Sequence, residues 1–342
     1  MTGDLRSRNY KILEAIILSY AELGNPIGSE FLLGKYPFGV SPATIRNVMA
    51  DLEEQGLITH PHTSAGRVPT DRGYRYYVDL LMESARVRPE EDEAIDALGS
   101  SGERNPEDIL SEAARILSDL TQEAGVALVP QFAQGSFRRL ELIYMEPSDL
   151  FGVLISSEGL VRHVRIGLDQ PLPVSQLVRL EEILNGELAG LSMMDACSVL
   201  ESTQKDWTTR IGEALDLSGL ASLFQDEASV ILEGASWILE APEFQDIERT
   251  RRLMRGLEDR RDLIQLLQKD LSADGVKVHI GSENRGTALT DCSVVAASYR
   301  LGAGVTGAIG VMGPTRMPYP RVTSLVGRMA QKIGRVFQGQ SR

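Results

Sequence analysis

Ile45, Val48, Met49 and Leu52 fall at i, i+3, i+4 and i+7, the apolar stripe of a short helix facing a core, within residues 41–56. Ser41 can cap the first free amides, Pro42 fits the first helical position and Gly56 suits the stop. The opposite face of the first two turns carries Ala43, Thr44, Arg46 and Asn47, small or hydrogen-bonding groups suited to base edges and phosphates. Upstream, the pattern predicts a helix over 6–23 with Ile12, Leu13, Ile16, Ile17 and Tyr20 inward, stopped by Gly24-Asn25-Pro26. A second helix is predicted from the Gly28-Ser29 cap to about Tyr36, with Phe31, Leu32 and Tyr36 inward. Downstream, Leu57-Ile58-Thr59 and Gly66-Arg67-Val68 read as two extended pieces around a polar tip, a β-hairpin. Helix, helix, turn, capped helix and hairpin is the order of a winged helix-turn-helix, placed over residues 1–82. In it Arg46 and Asn47 would read bases, Ser41 and Thr44 would hold phosphate at the helix start, and Thr63, Ser64 and Arg67 would touch phosphate or minor groove. The stretch 70–82 opens one more helix, with Tyr77, Leu80 and Leu81 packed and Arg72 and Arg75 outward. Those arginines are read either as phosphate grips or as solvated arms of a connecting helix.

Residues 83–105, with Pro89, the acidic run 90–93 and Gly99-Ser100-Ser101-Gly102, read as a linker. Pro106 starts a helix to about Ala124, and strands are predicted at 126–129, 138–145, 150–156 and 160–166, the last pair joined by Ser157-Glu158-Gly159. Residues 171–244 turn helical, with Leu177, Leu180, Leu184, Leu223, Ile231 and Leu232 among those available for packing. A long amphipathic helix is predicted over 245–273, strands return at 276–280, 293–298 and 304–312, and a last helix covers 321–337. Strands broken by a helical block and then resumed give an α+β multidomain chain: a discontinuous α+β domain over 106–170 and 245–342, interrupted by an inserted helical domain at 171–244.

Composition narrows the function. The chain of 342 residues has 42% hydrophobic and 24% charged residues, ordinary globular values, and contains no apolar run near the ~20 residues that span a bilayer. With no signal-peptide pattern at its amino terminus, a soluble cytoplasmic protein is expected, with no membrane partner. Its net charge is −13, yet residues 1–82 hold 8 Lys+Arg against 9 Asp+Glu, and the remainder 27 against 39. Any DNA contact must therefore be local, with an acidic body held off the duplex. Cys197 and Cys292 lie too far apart in sequence to suggest a disulfide framework or thiolate metal site. His60 and His62 have metal-ligand spacing without an obvious third ligand, so no metal is expected. The glycine-rich run 302–310 opens no helix of the dinucleotide-binding kind, and no cofactor is expected. His163 and His279 sit in strand patterns without a serine or cysteine partner that sequence can show. No catalytic residues are assigned, and the chain is not read as an enzyme.

Gly-Val-Ser-Pro-Ala-Thr-Ile-Arg-Asn at 39–47, Pro-His-Thr-Ser-Ala-Gly-Arg-Val-Pro-Thr at 61–70 and Arg-Gly-Tyr-Arg-Tyr-Tyr-Val-Asp at 72–79 resemble the amino-terminal signature of the bacterial heat-inducible transcription repressor HrcA family. The resemblance departs at Glu30-Phe31, where the family usually begins its second helix with basic and small polar residues, so that helix start is left out of the predicted DNA contacts. What it implies is a GAF-like domain interrupted by a mostly helical dimerisation domain, in a homodimer that represses heat-shock chaperone operons from an inverted-repeat operator. It further implies loss of activity on heating and return to an active form by the GroE chaperonin. The competing class is a ligand-responsive transcription regulator that senses a small metabolite through the GAF-like domain.

Overall fold

The structure, a computed structural model, describes residues 2–61, 66–80, 82–83, 85–100, 105–146, 149–167, 173–202, 220, 224, 228–301 and 305–340. His62, Thr63 and Ser64 of the predicted hairpin tip lie outside the described residues, as do Leu81, Ser101, Gly102, Leu223 and residues 302–304.

The chain opens with helices α1 (Thr2–Leu23), α2 (Ser29–Lys35) and α3 (Pro42–Glu54). The two-residue strands β1 (Ile58–Thr59) and β2 (Val68–Pro69) follow, paired antiparallel, and then α4 (Asp71–Leu80). Ile12, Leu13, Ile16 and Ile17 of α1, Leu32 of α2, and Ile45, Val48, Met49 and Leu52 of α3 are buried, so the predicted stripes meet in one small core. Two inward assignments fail. Phe31 is 39% exposed, because the two-turn α2 buries only Leu32. Leu80, the last residue of α4, is 67% exposed, beyond the surface covered by Gly73, Tyr74 and Tyr77.

Residues 83–105 are not a plain linker: they contain α5 (Pro89–Asp96), with Glu91 and Ile95 buried. Its acidic run is neutralised from far along the chain. Arg321 bonds Glu91, and Arg328 holds Asp92 and Asp96 at 2.7 Å each. Partners more than 200 residues away leave no local signal, which is why the run reads as solvated.

Next come α6 (Pro106–Thr121) and the strands β3 (Ala124–Leu128), β4 (Phe137–Glu146), β5 (Asp149–Ser156) and β6 (Val161–Gly167), followed by α7 (Val174–Leu188) and α8 (Met193–Ser202). After β7 (Val230–Glu233) the chain forms α9 (Ser236–Glu240), α10 (Ile247–Asp259) and α11 (Arg261–Asp270). Strands β8 (Val276–Ile280), β9 (Cys292–Leu301) and β10 (Val305–Pro314) and helix α12 (Tyr319–Gln340) complete it. The main sheet is antiparallel in the order β7-β3-β10-β9-β8. It is covered on both faces. Val295, Ala297, Tyr299, Ile309 and Val311 belong to the core shared with α6 and α12, whereas Val294, Ala296, Ala308 and Met312 join Leu253, Leu257, Leu263 and Leu267 of α10 and α11. Burial on both sides explains the nearly unbroken apolar runs of β9 and β10. Among the described residues no helix is long and apolar enough to cross a membrane. The protein is thus of mixed α+β class with antiparallel sheets.

Two further readings are corrected. Ile231 and Leu232, read as helical, lie in β7 at the edge of the main sheet, paired with Ala127 and Val126. Four residues are too few for period 2 and period 3.6 to part. The helix over 245–273 breaks at Arg260, which takes a left-handed φ of 56° while its guanidinium donates to Val230 O at 2.7 Å. No glycine or proline marks that break.

The smaller sheet β4-β5-β6 packs on α7. Asn185 accepts from Leu140 N and donates to Leu140 O, both at 2.8 Å, while Glu181 accepts from Leu142 N at 3.0 Å. Side chains of α7 thereby occupy the edge of β4 that a further strand would otherwise take.

Candidate nucleic-acid interface

The first turn of α3 is fixed by its own sequence. Ser41 Oγ accepts from Thr44 N at 3.1 Å and lies 2.9 Å from Thr44 Oγ1, with Pro42 at the helix start. Both hydroxyls lie at the positive end of α3, in the capping geometry that a phosphate oxygen could share. Burial of Ile45, Val48 and Met49 turns Arg46 and Asn47 to solvent. The Asn47 side chain makes no hydrogen bond among the described residues. Arg46 Nε donates to Ser29 Oγ at 3.3 Å and its Nη2 lies 3.7 Å from Glu30. The Glu30 carboxylate is thus the counter-ion of the principal candidate base reader.

The hairpin base is stitched to the loop before α2. Ile27 and Arg67 exchange backbone bonds, Ile27 N donating to Arg67 O at 2.8 Å and Arg67 N to Ile27 O at 2.9 Å. Gly66 is required at that junction, because a Cβ there would lie 2.6 Å from the Ile27 carbonyl carbon. Arg67 does not project as predicted. Its Nη2 is 2.8 Å from Glu53 Oε2 at the far end of α3, and its buried Nε has no acceptor among the described residues. Glu53 also bonds His60 Nδ1, and that bond first, with Arg67 behind it, holds the Glu53 carboxyl below the usual carboxylate range. Arg46 and Arg67 nevertheless line one open concavity of about 390 Å³, together with Ile27, Ser29, Met49 and Gly66. Six of the predicted contacts fall into three groups: Ser41, Thr44, Arg46 and Asn47 on the open end of α3, Arg67 at the hairpin base, and Ser64 outside the described residues, as is the seventh, Thr63.

Sequence reasoning missed Glu53 and His60, seven residues apart across a helix end, for which no local pattern speaks. It left Arg75 open, and the structure turns that residue inward. Its guanidinium bonds both Glu283 oxygens, at 2.7 and 2.6 Å, as well as Val278 O. Glu283 is pushed up by burial, but its bonds from Arg75 and Ile280 N outweigh this and leave its pKa lowered. Asp71 Oδ2 accepts from Ser282 N at 2.8 Å, and Tyr74 meets Tyr319 edge-on with centroids 5.6 Å apart. Helix α4 is therefore the seat of the amino-terminal block on the body. Arg72 stays exposed.

The histidines outside this surface have structural partners: His279 Nε2 lies 2.7 Å from Asp270, and His163 stacks on Phe151. Cys292 is buried, its thiol pushed up to about 12 by burial, which makes it a poor nucleophile.

Residues 107–323 match the family model described as "HrcA protein C terminal domain". The chain is 36% identical over 98% of its length to the heat-inducible transcription repressor HrcA of Geobacter sulfurreducens, covering 99% of that protein. It belongs to the HrcA family. An HrcA relative from Pelotomaculum thermopropionicum is likewise 36% identical, covering 98% of this chain and 97% of that one, so the similarity includes the amino-terminal block that the family model does not reach. A crystal structure described only as that of a hypothetical protein superposes with a TM-score of 0.66, at 24% identity, over 97% of this chain and 98% of that one, which shows a shared fold.

Proposed function

We propose that this HrcA-family chain is a cytoplasmic, sequence-specific transcriptional repressor of heat-shock chaperone genes that binds an inverted-repeat operator as a homodimer. The observation that carries the reading is α3: a capped helix with a buried inner face and with Arg46 and Asn47 open to solvent on its outer face. Its curated relatives are named heat-inducible transcription repressors. In this reading α2 and α3 form the helix-turn-helix and β1-β2 the wing, Arg46 and Asn47 read bases, and Ser41 and Thr44 position phosphate. Arg67 reaches phosphate by exchanging Glu53 for it, and Thr63 and Ser64 extend the wing contact.

The main sheet with α6, α10, α11 and α12 is the GAF-like domain, and the insertion is the dimerisation domain. In this reading the insertion extends to β4-β5-β6, since β4 bonds to α7 and pairs with β5, which pairs with β6. One face of that small sheet supports dimerisation. Ile143 pairs across from Phe151 and Ile155 from Val161, with Ile143 46% and Val161 58% exposed. Covering such a face with its own copy is what a two-fold dimer does.

Heat enters through marginal stability. Unfolding enthalpy of about 0.7 kcal/mol per residue makes any marginal domain a steep thermometer. Heating inactivates the dimer and the GroE chaperonin restores it. No catalytic role is part of this reading.

One fluorescence-anisotropy titration tests it, with the intact chain and a labelled duplex carrying the inverted repeat found upstream of its chaperone genes. The expected result is preference for that duplex over a scrambled one, lost after a heat step and regained with added GroE. Arg46→Ala should cost about 1–3 kcal/mol and relax the preference at one base position. Unchanged preference in Arg46→Ala would remove Arg46 from base reading, and full affinity after heating would remove the thermal mechanism.

A further inference from the structure

Helix α10, far in sequence from the amino-terminal block, gathers arginines in this acidic chain, beside Glu248, Glu258 and Asp259. Four of its 13 residues are arginines: Arg249, Arg251, Arg252 and Arg255. All four are exposed. Arg252 is held by Asp291 at 3.0 Å, whereas Arg249, Arg251 and Arg255 have no carboxylate partner among the described residues. Arg251 and Arg255, one turn apart, line an open groove of about 460 Å³ with Arg252, Glu248, Thr287 and Ala288. The opposite wall is firm. Ala288 N donates to Asp262 Oδ2 at 2.7 Å, Thr287 Oγ1 donates to Asn284 O at 2.6 Å, and a Cβ on Gly256 would come within 2.4 Å of Ala288 Cβ. Two free guanidinium forks beside a rigid wall suit the paired oxygens of phosphates.

The groove is tied to the amino-terminal block at two places. Arg316 donates to Ala21 O of α1 at 3.1 Å and pairs with Glu243 at 2.7 Å, four residues before α10 begins. Asp71 of α4 holds Ser282 N at 2.8 Å, five residues before Thr287. Stretches of four and five residues reach at most ~18 Å, so the groove lies near the points where α1 and α4 meet the body. The body as a whole is acidic and repels a flanking duplex, with 27 Lys+Arg against 39 Asp+Glu beyond residue 82, α10 included.

We propose that the Arg251–Arg255 face of α10 is a second, sequence-independent contact with the DNA backbone, gripping phosphates that flank the site read by α3. The inference rests on the DNA-binding reading above. It makes the body a partner in holding DNA, with α10 as its handle.

The test is the double variant Arg251→Ala/Arg255→Ala of the full chain, titrated with a labelled 40-base-pair operator duplex at several salt concentrations. Two lost phosphate contacts should flatten the slope of log affinity against log salt by about 1.8, at about 0.9 per contact. Affinity should fall several-fold on operator and scrambled duplex alike, leaving their ratio unchanged. Arg251→Lys/Arg255→Lys should restore the slope, since charge is kept. A salt slope equal to that of the unsubstituted chain overturns the proposal while leaving the DNA-binding reading intact. A change in oligomeric mass of the double variant without DNA also overturns it and assigns the face to a protein contact. Failure of the unsubstituted chain to bind any duplex would instead defeat the reading on which the proposal rests.

Discussion

Glu123 is only 7% exposed, and burial, eased by Arg316 and aggravated by Glu243, raises its carboxyl to about 8 from an ordinary value near 4.5. The folded protein thus holds that proton more tightly than the unfolded chain does. Stability linked to Glu123 is fully present below about pH 4.5 and is lost as pH rises toward 8. Glu91 works in the opposite sense. Burial opposes its charge, but the bonds from Arg88 and Arg321 lower it to about 2, so its contribution is present above the ordinary carboxylate value and fades in strong acid. Urea denaturation between pH 5 and pH 8.5 should show the unsubstituted chain losing stability relative to Glu123→Gln, whose profile should be flatter; parallel profiles would show that Glu123 does not titrate in this window. At this scale the sequence showed what is local. Ser41, Pro42 and the outward Arg46 and Asn47 lie as their spacing required. The pairing of Arg67 with Glu53 joins a hairpin to a helix end 14 residues away, and nothing in either segment announces it.

Elements with a long, clean period were legible, and those defined by distant partners were not. Helices α1 and α3 bury the apolar stripes their spacing describes, and α6, α7 and α12 form where the pattern predicts helix. Helix α5 escaped because its acids are answered by α12, and the α10–α11 break because Arg260 is held by Val230 O. Helix α4 reads in sequence either as a phosphate grip or as a connecting helix, and the structure locks it from both sides. Thr70 Oγ1 donates to Gly56 O at 2.7 Å and accepts from Gly73 N at 3.0 Å, while Arg75 and Asp71 bind the body. Gly73 permits this packing, because a Cβ there would lie 2.0 Å from Leu57 O. Gly73→Ala should therefore cost about 1–3 kcal/mol by overpacking, read as a lower urea midpoint. An unchanged midpoint would mean that α4 does not sit this close to the strand entry.

For the whole molecule, the order strands, helical block, strands was visible in the sequence, whereas the separation into two body sheets was not. Strand β3 pairs with β10, some 180 residues on, while β4, β5 and β6 pair only among themselves. The unbroken runs of β9 and β10 differ from the alternating burial of β5, but such a pattern gives the exposure of a strand's faces and not which distant strand it pairs with. Charge bears on the proposed reading: with residues 1–82 near neutral and the remainder acidic, DNA affinity in that reading comes from a few placed contacts repeated by two-fold symmetry. The direct test of that claim is sedimentation equilibrium of the intact chain with a duplex carrying the full inverted repeat, set beside one carrying a single half-site. The account predicts two chains on the full repeat, bound far more tightly than on the half-site. One chain per duplex, or equal affinity for both duplexes, would contradict it.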